Sequence, residues 1–92
     1  MKIIIQPNAK KQLENLDFAV QKRIAKFIDN LEGLENPRIK GKSLAGNLSG
    51  FWRYRVGDYR IICDIVDNEI TIYILDISHR SKSYKINMDY KY

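Results

Sequence analysis

A chain of 92 residues is long enough for one compact domain and too short for two. Hydrophobic residues at 45% and charged residues at 29% are the balance of a folded domain and exclude a disordered one. A net charge of +5 points to a polyanionic partner, while one cysteine and one histidine exclude a disulfide scaffold and a Cys/His zinc site.

In chain order, Lys2 to Ile5 is short and β-branched and reads as a strand closed by Gln6-Pro7. Pro7 suits the first turn of a helix, where its missing N–H costs nothing, and Ala9, Leu13 and Leu16 then recur on one helical face. Asp17 occupies the N-cap position of a second helix. Its apolar stripe is Val20, Ile24, Phe27, Ile28 and Leu31, with Lys22, Arg23, Lys26 and Asp29 facing away. Gly33 is its stop signal, and the short link between the helices predicts an antiparallel hairpin. Residues 34–50, with Pro37, Gly41, Gly46, Asn47 and Gly50, read as a basic loop.

A three-strand meander follows. Its strands are Phe51 to Val56, Tyr59 to Val66 and Glu69 to Ile77, joined by the two-residue turns Gly57-Asp58 and Asp67-Asn68. Ser78 to Tyr92 is polar and basic. No apolar run approaches the ~20 residues of a membrane-spanning helix and no signal-peptide pattern is visible, so the expected location is cytoplasmic. The order β-α-α-β-β-β predicts an α+β domain with the helical hairpin on one face of a small, mainly antiparallel twisted sheet.

The charge is unevenly placed. Residues 38–60 carry six basic groups (Arg38, Lys40, Lys42, Arg53, Arg55, Arg60) against Asp58 alone, whereas residues 61–78 hold four acids and no Lys or Arg. Arg80, Lys82, Lys85 and Lys91 restore the positive balance at the end. Such clustering fits nucleic acid first among polyanions, with a solvated basic surface as the competing reading.

Alternation puts Phe51, Arg53 and Arg55 on one face of their strand, with the two arginines about 7 Å apart, near the spacing of successive phosphates on a single strand. The two-residue turn pairs Val56 with Tyr59, so Arg55 lies opposite Arg60. Two opposed arginines destabilise a sheet unless an anion sits between them; otherwise they splay into solvent or pair with Asp64 or Asp76. A second set, Ser78-His79-Arg80-Ser81-Lys82-Ser83-Tyr84, offers an imidazole for proton transfer near neutrality and a phenol for donation or stacking. The plainer reading of His79 is an exposed residue on a basic tail. Cys63 and Trp52 alternate with apolar neighbours and read as core. Asp64, Asp67, Glu69 and Asp76 lack the grouping a divalent ion needs, and no phosphate-loop pattern occurs, so neither a metal nor a cofactor is expected.

The stretch Ser43-Leu44-Ala45-Gly46, then Phe51-Trp52-Arg53-Tyr54-Arg55-Val56-Gly57-Asp58-Tyr59-Arg60-Ile61-Ile62, resembles the signature of the RelE/ParE toxin superfamily. Ile77-Ser78-His79-Arg80 followed by Tyr84 resembles the ending of its RelE branch. The likeness covers residues 1–86, which makes that span a single RelE-like domain and residues 87–92 a polar tail. It implies a toxin of a type II toxin–antitoxin pair that enters the ribosomal A site and cuts mRNA without a metal. A ribose 2′-OH attacks the adjacent phosphate and leaves a 2′,3′-cyclic phosphate and a 5′-OH. The resemblance implies Arg53, Arg55, Arg60, His79, Arg80 and Tyr84 as the catalytic set. Arg38, Lys40, Lys42, Lys82 and Lys85 are then contacts to RNA or ribosome. It also implies a RelB-like antitoxin with an acidic or amphipathic segment, assembling up to a heterotetramer. Where the RelE pattern carries two lysines, this chain has Arg53 and Arg55. Arginine stays protonated and is a poor base, which moves proton transfer to His79 and Tyr84 and leaves the arginines as phosphate clamps. A ParE-like gyrase inhibitor shares the fold and is the main alternative; an inactive basic RNA-binding module is the other.

Overall fold

The computed structural model describes residues 1–82. Strand β1 (Lys2–Ile5) leads into helices α1 (Pro7–Glu14) and α2 (Phe18–Glu32). Strands β2 (Lys42–Ser43), β3 (Trp52–Val56), β4 (Tyr59–Val66) and β5 (Thr71–His79) follow. They form one five-stranded sheet in the order β1-β5-β4-β3-β2, in which β1 runs parallel to β5 and every other pair is antiparallel. No helix among the described residues is long and apolar enough to cross a membrane.

The helices cover one face of the sheet because their apolar stripes are cut for it. Ile24, Ile28 and Leu31, one turn apart on α2, and Ala9 on α1 are buried against Tyr54, Ile61, Cys63, Ile65, Ile72, Ile74 and Ile77. Each fully buried isoleucine contributes about 1.5–3 kcal/mol relative to an exposed one. Phe27 meets Tyr54 with ring centroids 5.4 Å apart, which seats α2 over β3. Burial pushes the Tyr54 phenol and the Cys63 thiol well above their ordinary pKa values, so Cys63 is a core side chain, not a nucleophile.

The structure departs from the sequence reading in two places. The basic loop contains β2, whose register sets Lys42 opposite Arg53 and Ser43 opposite Trp52. Two exposed residues carry no alternation to read; long-range hydrogen bonds hold them instead. Trp52 Nε1 donates to the Lys40 carbonyl at 2.8 Å, and the Tyr54 hydroxyl donates to the Pro37 carbonyl at 2.6 Å. Gly41 makes this close approach feasible: it has φ +80°, and a Cβ there would sit 2.4 Å from the Arg53 carbonyl oxygen.

Second, the connection after β4 is not a two-residue turn. A 3₁₀ turn, Asp67–Glu69, is followed by Ile70 at φ +53°, and β5 starts at Thr71 and runs to His79. The Arg38–Asp67 ion pair at 2.9 Å holds that turn to the 3₁₀ turn Pro37–Ile39, a tie between distant segments that local turn rules do not contain. Gly33 ends α2 as its stop signal predicts, in a right-handed conformation with φ −84°. Asp17 stands at the N-cap of α2 as expected, without a side-chain capping bond.

Candidate functional site

The Gly57-Asp58 turn pairs Val56 with Tyr59 and Arg55 with Arg60, as a two-residue hairpin requires. Two positions back along β3, Arg53 stands opposite Lys42 of β2 on one side and Ile62 of β4 on the other. Lys42, Arg53, Arg55 and Arg60 therefore share the sheet face turned away from the helices, in two rows one pleat repeat apart. Arg55 is exposed, Arg53 half-buried and Arg60 only 9% exposed. Arg53 Nε is buried without a hydrogen-bond acceptor, and neither Arg53 nor Arg55 forms an ion pair among the described residues. Arg60 Nη1 donates to the Arg80 carbonyl at 3.5 Å, past Ser78, its partner on β5. Asp76, one of the acids weighed as an arginine partner, is instead held by Gln12 Nε2 and Ser78 Oγ, each at 2.8 Å.

The face of His79 follows from an irregularity. Ile62 pairs with Asp76 and Cys63 with Ile74, so Leu75 is an extra residue on β5. A bulge reverses the alternation beyond it: Ile74 and Ile77 both enter the helix-side core although they are three residues apart. Ser78 consequently joins the arginine face, and His79 joins the helix side with Tyr59, its ring meeting that of Tyr59 edge-on with centroids 5.3 Å apart. His79 and the three strand arginines thus occupy opposite faces at the same end of the sheet. They do not converge on one concave pocket.

His79 lines a cleft of about 300 Å³ with Gln12, Asn15, Leu16, Tyr59, Ile77, Ser78 and Lys82. The Ser81 amide donates to His79 Nδ1 at 3.1 Å, which assigns the neutral ring proton to Nε2, and Ser81 Oγ lies 2.8 Å from the same nitrogen. A protonated ring keeps a partner there, since the hydroxyl oxygen can accept from Nδ1–H. Lys82 is exposed beside the cleft. Arg80 bridges back to the β3–β4 turn, its amide donating to the Asp58 carbonyl at 2.8 Å and its Nε lying 3.5 Å from the Asp58 carboxylate.

The remaining predicted residues are spread out. Lys40 is exposed at the bend before β2. Arg38 is engaged with Asp67 at the opposite end of β4, where the guanidinium holds the Asp67 carboxyl below the usual carboxylate range. Tyr84 and Lys85 lie outside the described residues, as do residues 87–92. Several contributors escaped sequence reading. Gln12, Asn15 and Tyr59 line the cleft, and Arg23 brings its guanidinium to the β3–β4 turn, where a Cβ on Gly57 would sit 3.0 Å from its Nη2. On α2 alone, Arg23 looks like one more solvated charge.

A family model described as the ParE toxin of the type II toxin–antitoxin system matches residues 3–84. A toxin RelE from Mycobacterium tuberculosis is 32% identical over 85 residues, spanning 92% of this chain and 87% of that protein. The chain belongs to the RelE/ParE toxin superfamily.

Solved structures agree with that membership. The toxin–antitoxin complex RelBE2 of M. tuberculosis contains a chain that superposes with a TM-score of 0.77 at 27% identity, covering 88% of this toxin and 92% of that chain. The archaeal RelE–RelB complex of Pyrococcus horikoshii gives 0.69 at 29% identity, covering 89% and 97%. The isolated E. coli RelE toxin gives 0.72 at 18% identity, covering 89% and 86%, which supports the fold alone. This RelE-like toxin therefore has the α+β architecture expected of it, two helices on a mostly antiparallel sheet.

Proposed function

We propose that this toxin is a ribosome-dependent endoribonuclease that cuts mRNA in the A site and so stops translation. The observation that carries this reading is the Arg55–Arg60 pair in register, extended by Arg53 and Lys42 on one sheet face. A sheet tolerates that density of like charge at a cost, and an RNA phosphate relieves it. In the reaction, the 2′-oxygen gives up its proton and bonds to phosphorus, and the P–O5′ bond then breaks. The 5′-oxygen takes up a proton, leaving a 2′,3′-cyclic phosphate and a 5′-OH. The guanidinium groups of Arg53, Arg55, Arg60 and Arg80 stabilise the charge that grows on the non-bridging oxygens. His79 and Tyr84 carry the protons, and the adjoining base enters the His79 cleft, with RNA draped over the end of the sheet between the two faces. Lys40, Lys42, Lys82 and Lys85 bind flanking phosphates or rRNA, and Arg38 contributes only if its bridge to Asp67 opens.

RelE proteins of M. tuberculosis and P. horikoshii were solved as complexes with their antitoxins. We infer a RelB-like partner here, with an acidic or amphipathic segment laid over the basic face.

The decisive assay incubates purified toxin with mRNA, with and without programmed ribosomes, and maps the ends. Cuts that need the ribosome and leave cyclic-phosphate and 5′-OH ends support the reading; intact mRNA in both reactions overturns it. One observation favours a second reading, a ParE-like gyrase poison: the family model that spans residues 3–84 is the ParE one. Inhibition of gyrase supercoiling by toxin that spares ribosome-bound mRNA would establish that alternative.

A further inference from the structure

We infer that Gln12, on α1, is a positioning residue that locks the β5 bulge and thereby aims His79 into its cleft. The catalytic consequence rests on the ribonuclease reading; the structural one does not. β1 covers the outer edge of β5 only as far as Ile74, whose carbonyl accepts from the Gln6 amide at 2.9 Å. Beyond it an unshielded edge would expose backbone groups, and α1 takes them up with side chains. Asn8 Nδ2 donates to the Leu75 carbonyl at 3.2 Å, and Gln12 Oε1 accepts from the Ile77 amide at 2.7 Å. The other half of the Gln12 amide donates to Asp76 at 2.8 Å, so one side chain grips two consecutive residues of β5.

The register makes this grip selective. Ile74 turns its carbonyl outward, so an unbulged strand would next turn residue 76 outward, and the amide of residue 77 would point back towards β4. Gln12 meets the amide of Ile77, an arrangement available only with Leu75 bulged out. In the unbulged register, residues 77 and 79 would face the arginines and Asp76 and Ser78 the helices. Burial of Ile77, 1% exposed, pulls towards the observed register too, but an apolar contact does not fix the strand beyond it. His79 lies two residues further on, at the last position of the strand. Without Gln12, the Ile77 amide and the Asp76 carboxylate lose a partner at the strand edge, and His79 loses its fixed seat beside Tyr59.

The test is Gln12→Met, which keeps the volume and removes both hydrogen bonds. Three readouts are compared with wild type: hydrogen exchange at the Ile77 amide, nuclear Overhauser contacts between the Tyr59 and His79 rings, and kcat against KM for ribosome-dependent cleavage. The expected result is faster exchange at Ile77, weakened ring contacts, and a roughly 10- to 100-fold fall in kcat with little change in KM, as misplacement of a reacting group produces. Asn8→Ala, which removes the tie to the Leu75 carbonyl and the 3.5 Å hydrogen bond from Asn8 Nδ2 to Gln12 Oε1 but leaves Gln12 on Ile77 and Asp76, gives the same signature at smaller amplitude and stands in if Gln12→Met fails to fold. Wild-type ring contacts and exchange in the folded variant overturn the inference. Wild-type toxin that cleaves nothing overturns the ribonuclease reading instead, and the ring contacts alone then decide the role of Gln12.

Discussion

Arg55 and Arg60 face each other across two strands, a like-charge arrangement that an anion bound between them relieves. Arg55→Ala should therefore stabilise the free toxin by roughly 0.2–0.5 kcal/mol, since the like charge facing the buried Arg60 is removed. Thermal melts check this, and the gain should shrink in high salt. The same substitution should lower cleavage by about 10²-fold or more, in the range seen when one transition-state stabiliser is lost. Stability rising while activity falls separates a phosphate clamp from a structural arginine. That pairing was legible because a two-residue turn dictates register. The face of His79 was not, since nothing in the run from Thr71 to His79 announces that Leu75 is the extra residue.

Among the elements, β3 does more than its five residues suggest. Trp52 and Tyr54 reach out of the strand to carbonyls of the preceding segment, which becomes ordered enough to add β2. Tyr54→Phe leaves the Pro37 carbonyl without its buried donor and should cost about 1–3 kcal/mol in denaturant unfolding. An unchanged midpoint would show that water replaces the hydroxyl. The Gly57-Asp58 turn has one positive φ, +58° at Gly57, the pattern of a type II′ hairpin. Turn chemistry and strand alternation are local, so β3 and β4 were readable nearly to their ends. β2 exists only because its neighbours hold it.

Across the whole molecule, charge is segregated, and two carboxylates give opposite pH dependences. Asp67 has its pKa lowered by Arg38; its contribution is full above the ordinary carboxylate range and is lost as pH falls through the depressed value. Asp64 has its pKa raised by burial and then by Glu69; it favours the folded state at low pH and loses that advantage as pH rises through the raised value. Asp64→Asn should accordingly raise the melting temperature at neutral pH and leave it unchanged in acid, whereas Asp67→Asn should lower it at neutral pH only. Melting curves at pH 7 and pH 3 decide both. For function, four basic groups on one face should make binding to single-stranded RNA fall with salt at a log–log slope of roughly −3, each alanine substitution removing about 0.7. A slope near zero would argue for recognition without the phosphate backbone.

The amino-acid order alone determined the two helices, the meander and the opposed arginines, because each follows from periodicity or turn length within a few residues. Tertiary structure decided the rest: that β1 lies parallel beside β5, that Arg38 is engaged far from the other arginines, and which face His79 presents. These depend on partners far apart in the chain, such as Gln12 and Ile77, 65 residues apart, and a hydrogen bond formed across that separation leaves no local pattern to read.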